Sequence, residues 1–118
     1  MKQSILVVLL TAAVSLSTVA AAQYVGATEA QYTNLAKLLE TGQDDDYVQL
    51  EGQLIKKVGS EKYIFTDGHQ EVRVEIDSEN FPSQPFDENA TIQIQGEFEK
   101  EFMESPEIDV DVVTIVKQ

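Results

Sequence analysis

Five of the eight Lys and Arg residues of this sequence stand at Lys56, Lys57, Lys62, Arg73 and Lys100, and Phe102 and Met103 follow close behind the last. Cationic heads beside an aromatic ring and a thioether are the components of a site for an anionic or polar ligand. The charge attracts the ligand and the apolar surface covers it. The same lysines could instead balance nearby acids and keep sheet edges soluble. Phe102 and Met103 could equally close one end of a core.

The acids form the second group. Asp44, Asp45 and Asp46 are consecutive, and Glu107, Asp109 and Asp111 alternate. A hard cation needs several carboxylate oxygens from a loop of defined spacing. No D-x-D-x-D-G loop occurs, so the run reads as a solvated connector that stops a helix, and no metal site is expected. His69 is the one histidine, in an Asp67-Gly68-His69 turn. A lone imidazole completes neither a zinc site nor a Ser–His pair. With no Cys there is no thiol nucleophile, Cys metal site or disulfide. No G-x-S-x-G, Walker or H-E-x-x-H pattern is present. These residues point to a non-enzymatic protein that needs no cofactor.

The whole chain carries 8 basic and 21 acidic residues, a formal net charge of −13. That field repels phosphate backbones and argues against nucleic-acid binding. It suits solubility or cationic partners. Residues 1–22 read as a secretory signal peptide: Lys2, an apolar stretch from Ile5, then Ala20-Ala21-Ala22. An uncleaved N-terminal anchor is the alternative. Cleavage after Ala22 leaves 118 − 22 = 96 residues, 7 of them basic and 21 acidic. That is one modest exported domain, with no stable membrane insertion after cleavage.

Residues 23–43 read as a lead-in and one helix. Thr28-Glu29-Ala30-Gln31 has the form of a capping box, and Tyr32, Leu35, Ala36 and Leu39 follow at helical spacing for about three turns. Gly42 sits where a helix ends. The apolar stripe should pack on the domain's own core, with partner docking as the alternative. Residues 44–118 switch to period two. Val48, Leu50, Gly52 and Leu54 mark a first strand. Tyr63 to Asp67 is a second, with Tyr63 and Phe65 inward. Val72, Val74 and Ile76 mark a third. Asp77 to Ala90, with Pro82 and Pro85, is too broken for a full helix. Ile92, Ile94, Gly96 and Phe98 mark a fourth strand. Ile108, Val110 and Val112 mark a fifth, whose parity then shifts to Val113 and Ile115, the sign of a bulge or a strand end.

Five short alternating strands predict a small closed antiparallel sheet, which removes exposed edges. Such barrels need strands that bend hard. Gly52 and Gly96 occupy matching positions in "VQLEGQL" and "IQIQGEF", and both are expected to be structural glycines at bends.

Together "YVQLEGQL", "KYIFTD", "VRVEID", "IQGEFEK" and "EIDV" resemble the bacterial OB-fold (BOF) family of exported stress-tolerance proteins. The resemblance runs from about Leu35 to Val116. It implies a mainly β fold, a five-stranded Greek-key OB barrel preceded by one N-terminal α-helix. It also implies a periplasmic, non-enzymatic role in envelope stress tolerance. Phe81 and Phe102 stand where family members tend to carry Trp, and the segment Met103 to Pro106 is one residue longer. OB barrels bind on the face of strands two and three, between the first and last strand-connecting loops. That assignment brings Lys56, Lys57, Lys62, Arg73, Lys100, Phe102 and Met103 near one region. The expected ligand is an envelope glycan, a cationic peptide or a small molecule. The runner-up reading is a protein–protein adaptor that regulates an envelope enzyme.

Overall fold

The computed structural model describes residues 29–118. The expected signal peptide, the lead-in and the Thr28 cap lie outside these residues. Among the described residues no helix is long and apolar enough to cross a membrane.

One helix, α1 (Leu35–Thr41), precedes five strands. They are β1 (Tyr47–Lys57), β2 (Lys62–Thr66), β3 (Glu71–Ile76), β4 (Thr91–Glu99) and β5 (Glu107–Lys117). A single 3-10 turn, Ser78–Asn80, stands in the long β3–β4 connection. The strands close into a barrel in the order β1-β2-β3-β5-β4, with β4 back on β1. All neighbours are antiparallel except β3 and β5, which run parallel.

The period-two pattern is the core. Val48, Leu50, Leu54, Phe65, Val72, Val74, Ile76, Ile92, Ile94, Phe98, Ile108 and Val110 all point inward and are buried. Each such side chain contributes roughly 1.5–3 kcal/mol on leaving water. No buried side-chain polar atom lacks a partner among the described residues. Tyr63 is half-buried against this core, so strand two faces as expected.

Gly52 sits where β1 changes partner, and Gly96 sits at the bulge between β4 and β5. Residues up to Gly52 of β1 pair with β4, and from Gln53 onward they pair with β2. A Cβ on Gly52 would overlap the Thr66 carbonyl oxygen, and one on Gly96 would overlap that of Asp109. Neither glycine is needed for a positive φ. Each is needed because another backbone passes too close for a side chain. The two matching segments therefore solve the same crowding problem at two corners of the barrel.

One reading is corrected. The helix is seven residues long and starts at Leu35, with Asn34 as its N-cap: the Asn34 Oδ1 accepts from the Lys37 N–H at 2.9 Å. Gln31 and Tyr32 lie along β1 instead, Tyr32 in an isolated parallel bridge to Val48. Their N–H groups donate to the Tyr47 carbonyl at 2.8 and 3.4 Å, and the Tyr32 carbonyl accepts from Gln49 at 2.9 Å. The Gln31 side chain, expected in a capping box, accepts from the Tyr47 N–H at 2.9 Å. Pairing with β1 overrides the local capping preference. The buried helical residues are Leu35 and Leu38, while Leu39 is half-buried and Ala36 exposed.

The parity shift expected in β5 is a bulge inside the strand. Gln95 pairs with Val112 and Gly96 with Val110, so Asp111 is the bulged residue. Val112 consequently faces outward and Val113 takes the next core position.

Candidate functional site

The sequence-derived site residues divide among three neighbouring surfaces. Register places Lys56, Ile64, Arg73, Glu107 and Glu99 in one row across β1, β2, β3, β5 and β4. Strands lie about 4.8 Å apart, so Lys56 and Arg73 flank Ile64 at a separation of roughly 10 Å. Arg73 borders a hollow of about 240 Å³ with Ile64, Ser105 and Pro106. This is the outer OB face, and its charge changes sign along the row.

A larger groove of about 400 Å³ opens beside Lys56 and Lys57. The end of β1 supplies Leu54 to Lys57, β2 supplies Tyr63, and the β3–β4 connection supplies Phe81, Pro82 and Gln84 to Glu88, so the two lysines share the groove with Asp87 and Glu88. The aromatic rings support one another. Tyr63 meets Phe81 edge-on at 5.6 Å between centroids, and Phe81 lies 5.9 Å from Phe86. The Lys57 ammonium sits 5.7 Å from the Tyr63 ring centre, a cation–π distance. Sequence reasoning located the two lysines but missed the aromatic wall. The signal was present in "FPSQPF", residues 81–86, where two Phe and two Pro share six positions.

Lys62 belongs to a different arrangement. Its Nζ donates to Glu107 Oε2 at 2.6 Å and to Glu75 Oε1 at 3.4 Å. The hydrogen bond to Glu107 raises the Lys62 pKa above its ordinary value. Lys62 is thus a counter-ion within a carboxylate cluster that also holds Glu99 and Asp109. Burial, then repulsion from Glu75, Asp111 and Glu107, pushes the Asp109 carboxyl up. Burial, then Asp109, Glu107 and Glu75, does the same to Glu99. Among the described residues no group of three or more His, Asp or Glu is disposed to hold a metal ion.

The cluster sets a pH response. Asp109 and Glu99 titrate above their reference values of 3.8 and 4.5. Between each reference value and the raised one, the folded state binds more protons than the unfolded chain. Stability contributed by these two groups therefore falls as pH rises through that window. Asp67 acts oppositely. Its carboxylate accepts from the N–H groups of Gln70 and His69 at 2.8 and 2.9 Å. These bonds lower its pKa, that to Gln70 first. Its contribution is present above the unfolded pKa and lost as pH falls through the folded one. We expect the urea midpoint to rise on acidification from pH 7, then to fall once Asp67 protonates. Asp109→Asn should raise the midpoint at pH 7 and flatten the upper limb. An unchanged pH profile in that variant would remove Asp109 as its source.

Lys100, Phe102 and Met103 lie on the β4–β5 loop. The Lys100 N–H donates to Asp44 Oδ1 at 2.9 Å. The Asp44–Asp46 run therefore does more than connect. The Asp45 N–H donates to the Phe98 carbonyl at 2.7 Å, and the Phe98 N–H to that of Asp46 at 2.8 Å. The run clips the start of β1 to the end of β4. Phe102 and Met103 are 90% and 86% exposed, so neither closes the barrel. His69 is exposed in its turn.

Residues 12–117 match the model of the bacterial OB fold (BOF) protein family. The chain belongs to this family. It is 34% identical over 97 residues to the calcium-regulated OB-fold protein CarO of Pseudomonas aeruginosa, spanning 82% of this chain and 83% of that protein. It is 33% identical over 67 residues to protein YgiW of Escherichia coli K12, spanning 57% of this chain and 51% of that one. The solved structure of E. coli YgiW aligns with a TM-score of 0.68 and 25% identity, over 78% of this chain and 100% of the other. Neither relative's name states a catalytic activity. The BOF barrel described above is the framework on which the three surfaces sit.

Proposed function

We propose that this BOF protein is an exported, non-catalytic binding module of the periplasm that helps the cell envelope tolerate stress. Its ligand is an anionic or polar fragment, such as an envelope glycan, held in the groove beside Lys56 and Lys57. The observation that carries this reading is the meeting of two lysines with the Tyr63, Phe81 and Phe86 wall around about 400 Å³, with Asp87 and Glu88 also on the lining, a mixed-charge set suited to a polar ligand. A pocket of this size with a mostly apolar lining and few convergent charges is the usual form of a small-ligand site. Lys62 takes no part, because Glu75 and Glu107 already use its charge.

An amide NMR titration with acidic glycan fragments tests the reading. Saturable shifts should cluster at Leu54 to Lys57, Tyr63 and Phe81 to Phe86. Lys57→Ala should weaken binding about tenfold, the loss of one charge-assisted contact of roughly 1.5 kcal/mol. Shifts scattered over the barrel, or none at all, would count against the groove.

The carboxylate cluster favours a second ligand class, cationic peptides, held by field rather than by a shaped site. Such binding should weaken steeply between low and physiological salt, since exposed charges are screened over about 10 Å at 0.1 M. Salt-independent binding would sink that reading. The adaptor alternative has less support on the helix. Leu35 and Leu38 already serve the core, and the Tyr32 hydroxyl pairs with Thr41 at 2.9 Å.

A further inference from the structure

The aromatic groove carries both signs of charge, and each sign comes from a different element. The end of β1 brings Lys56 and Lys57, and the β3–β4 connection brings Asp87 and Glu88. All four are exposed, and none of them makes an ion pair with another. The connection that carries the acids is anchored at both ends of this stretch. The Tyr63–Phe81 and Phe81–Phe86 ring contacts tie it to β2. The Asn89 N–H donates to Asp87 Oδ1 at 2.9 Å and the Ala90 N–H to the Asp87 carbonyl at 3.1 Å, and Ala90 is buried just before β4 begins. On the β1 side the Lys57 ammonium lies over the Tyr63 ring. Opposite charges therefore stand on two fixed elements of one apolar groove without neutralising each other.

That arrangement discriminates by charge. An anion alone gains from the lysines but meets the two carboxylates, and a cation alone meets the reverse. A molecule with one charge of each sign and an apolar group engages the whole lining. We propose that the groove takes a zwitterionic short peptide. Its carboxylate meets Lys56 and Lys57, its ammonium meets Asp87 and Glu88, and its apolar side chain packs on the Tyr63, Phe81 and Phe86 wall. The inference rests on the reading of the groove as a binding site and narrows that site's ligand from polar molecules in general to zwitterions. All four charged groups are exposed, so affinity is modest, with a Kd of about 0.1–1 mM. The ligand has no net charge, so the −13 field of the chain neither draws it in nor repels it at long range. Binding therefore depends less on salt than the binding of a cationic peptide does.

Amide NMR titrations of the protein as recovered from cells test this with three matched probes at physiological salt. They are the dipeptide alanylphenylalanine, its N-acetyl form, which is an anion, and its C-terminal amide, which is a cation. The dipeptide should give saturable shifts at Leu54 to Lys57, Tyr63 and Phe81 to Glu88. Each blocked form should bind about tenfold more weakly, having lost one charge-assisted contact. Lys56→Gln with Lys57→Gln should weaken the dipeptide about tenfold without weakening the amide. Asp87→Asn with Glu88→Gln should weaken the dipeptide similarly without weakening the N-acetyl form. Asp87→Asn keeps a side-chain oxygen for the Asn89 N–H, so the turn is preserved. Equal affinity of the dipeptide and the N-acetyl form overturns the proposal and leaves a groove for anions. Equal affinity of the dipeptide and the amide overturns it and leaves a groove for cations. Dipeptide shifts outside the groove, or none up to about 10 mM, also overturn it. The acidic glycan titration, run on the same sample, then decides separately whether the groove is a binding site.

Discussion

Replacing Gly52 or Gly96 by Ala should lower stability by at least about 3 kcal/mol, a large share of the roughly 5–15 kcal/mol that holds a domain of this size together. The added methyl meets backbone in both cases: the Thr66 carbonyl at Gly52 and the Asp109 carbonyl at Gly96. A flexible side chain could move aside, but a carbonyl inside a closed ladder cannot move without parting two strands. The urea midpoint of each variant is the measurement. Gly68→Ala is the control. Gly68 lies in the β2–β3 turn at φ 98° with open space around its missing Cβ. It should lose only about 1 kcal/mol, from backbone strain alone. If Gly52→Ala behaves no worse than Gly68→Ala, the close approach of β1 and β2 is not a tight constraint.

Leu38→Ala should lower stability by about 2–5 kcal/mol, the range for emptying a fully buried leucine site. Leu38 is 0% exposed although its helix has only seven residues. So short a helix has little stability of its own and persists because it covers the barrel. Its floor is visible at Gly42, where a Cβ would lie 2.7 Å from a Leu38 methyl and 3.0 Å from the Phe98 ring. Leu38 and Phe98 therefore meet under the helix C-terminus. The variant should also increase hydrogen exchange in β4 near Phe98. A folded variant with wild-type stability would mean that the helix is dispensable, and would free its apolar face for a partner. This result bears directly on the adaptor alternative.

Much of the barrel was legible because strand facing is a local property. Alternation at Val48, Leu50 and Leu54, or at Ile92, Ile94 and Phe98, requires one face to leave water whatever the strand's neighbours are. The Asp67-Gly68-His69 turn was legible for the same reason: Asp67 bonds the backbone two and three residues on. The helix start was not. Thr28-Glu29-Ala30-Gln31 carries a sound local cap signal, but Gln31 and Tyr32 gain hydrogen bonds from a strand 16 residues away. Nothing local announces that competitor.

Composition and period were enough to define the class of surface this protein presents: a strongly acidic exterior, few cations, no nucleophile pattern and two glycines at matched strand positions. Those properties survive in any arrangement of the chain. Which charges stand free depends on the folded arrangement. Lys62 looked like part of a ligand site until the parallel pairing of β3 with β5 set Glu107 2.6 Å from it, across 45 residues of sequence. Lys56 and Lys57 stay exposed beside a wall built by a loop more than 20 positions later. Charge is a property of residues, but whether a charge is spent on a neighbour depends on strand register, and register is settled by the closed barrel as a whole.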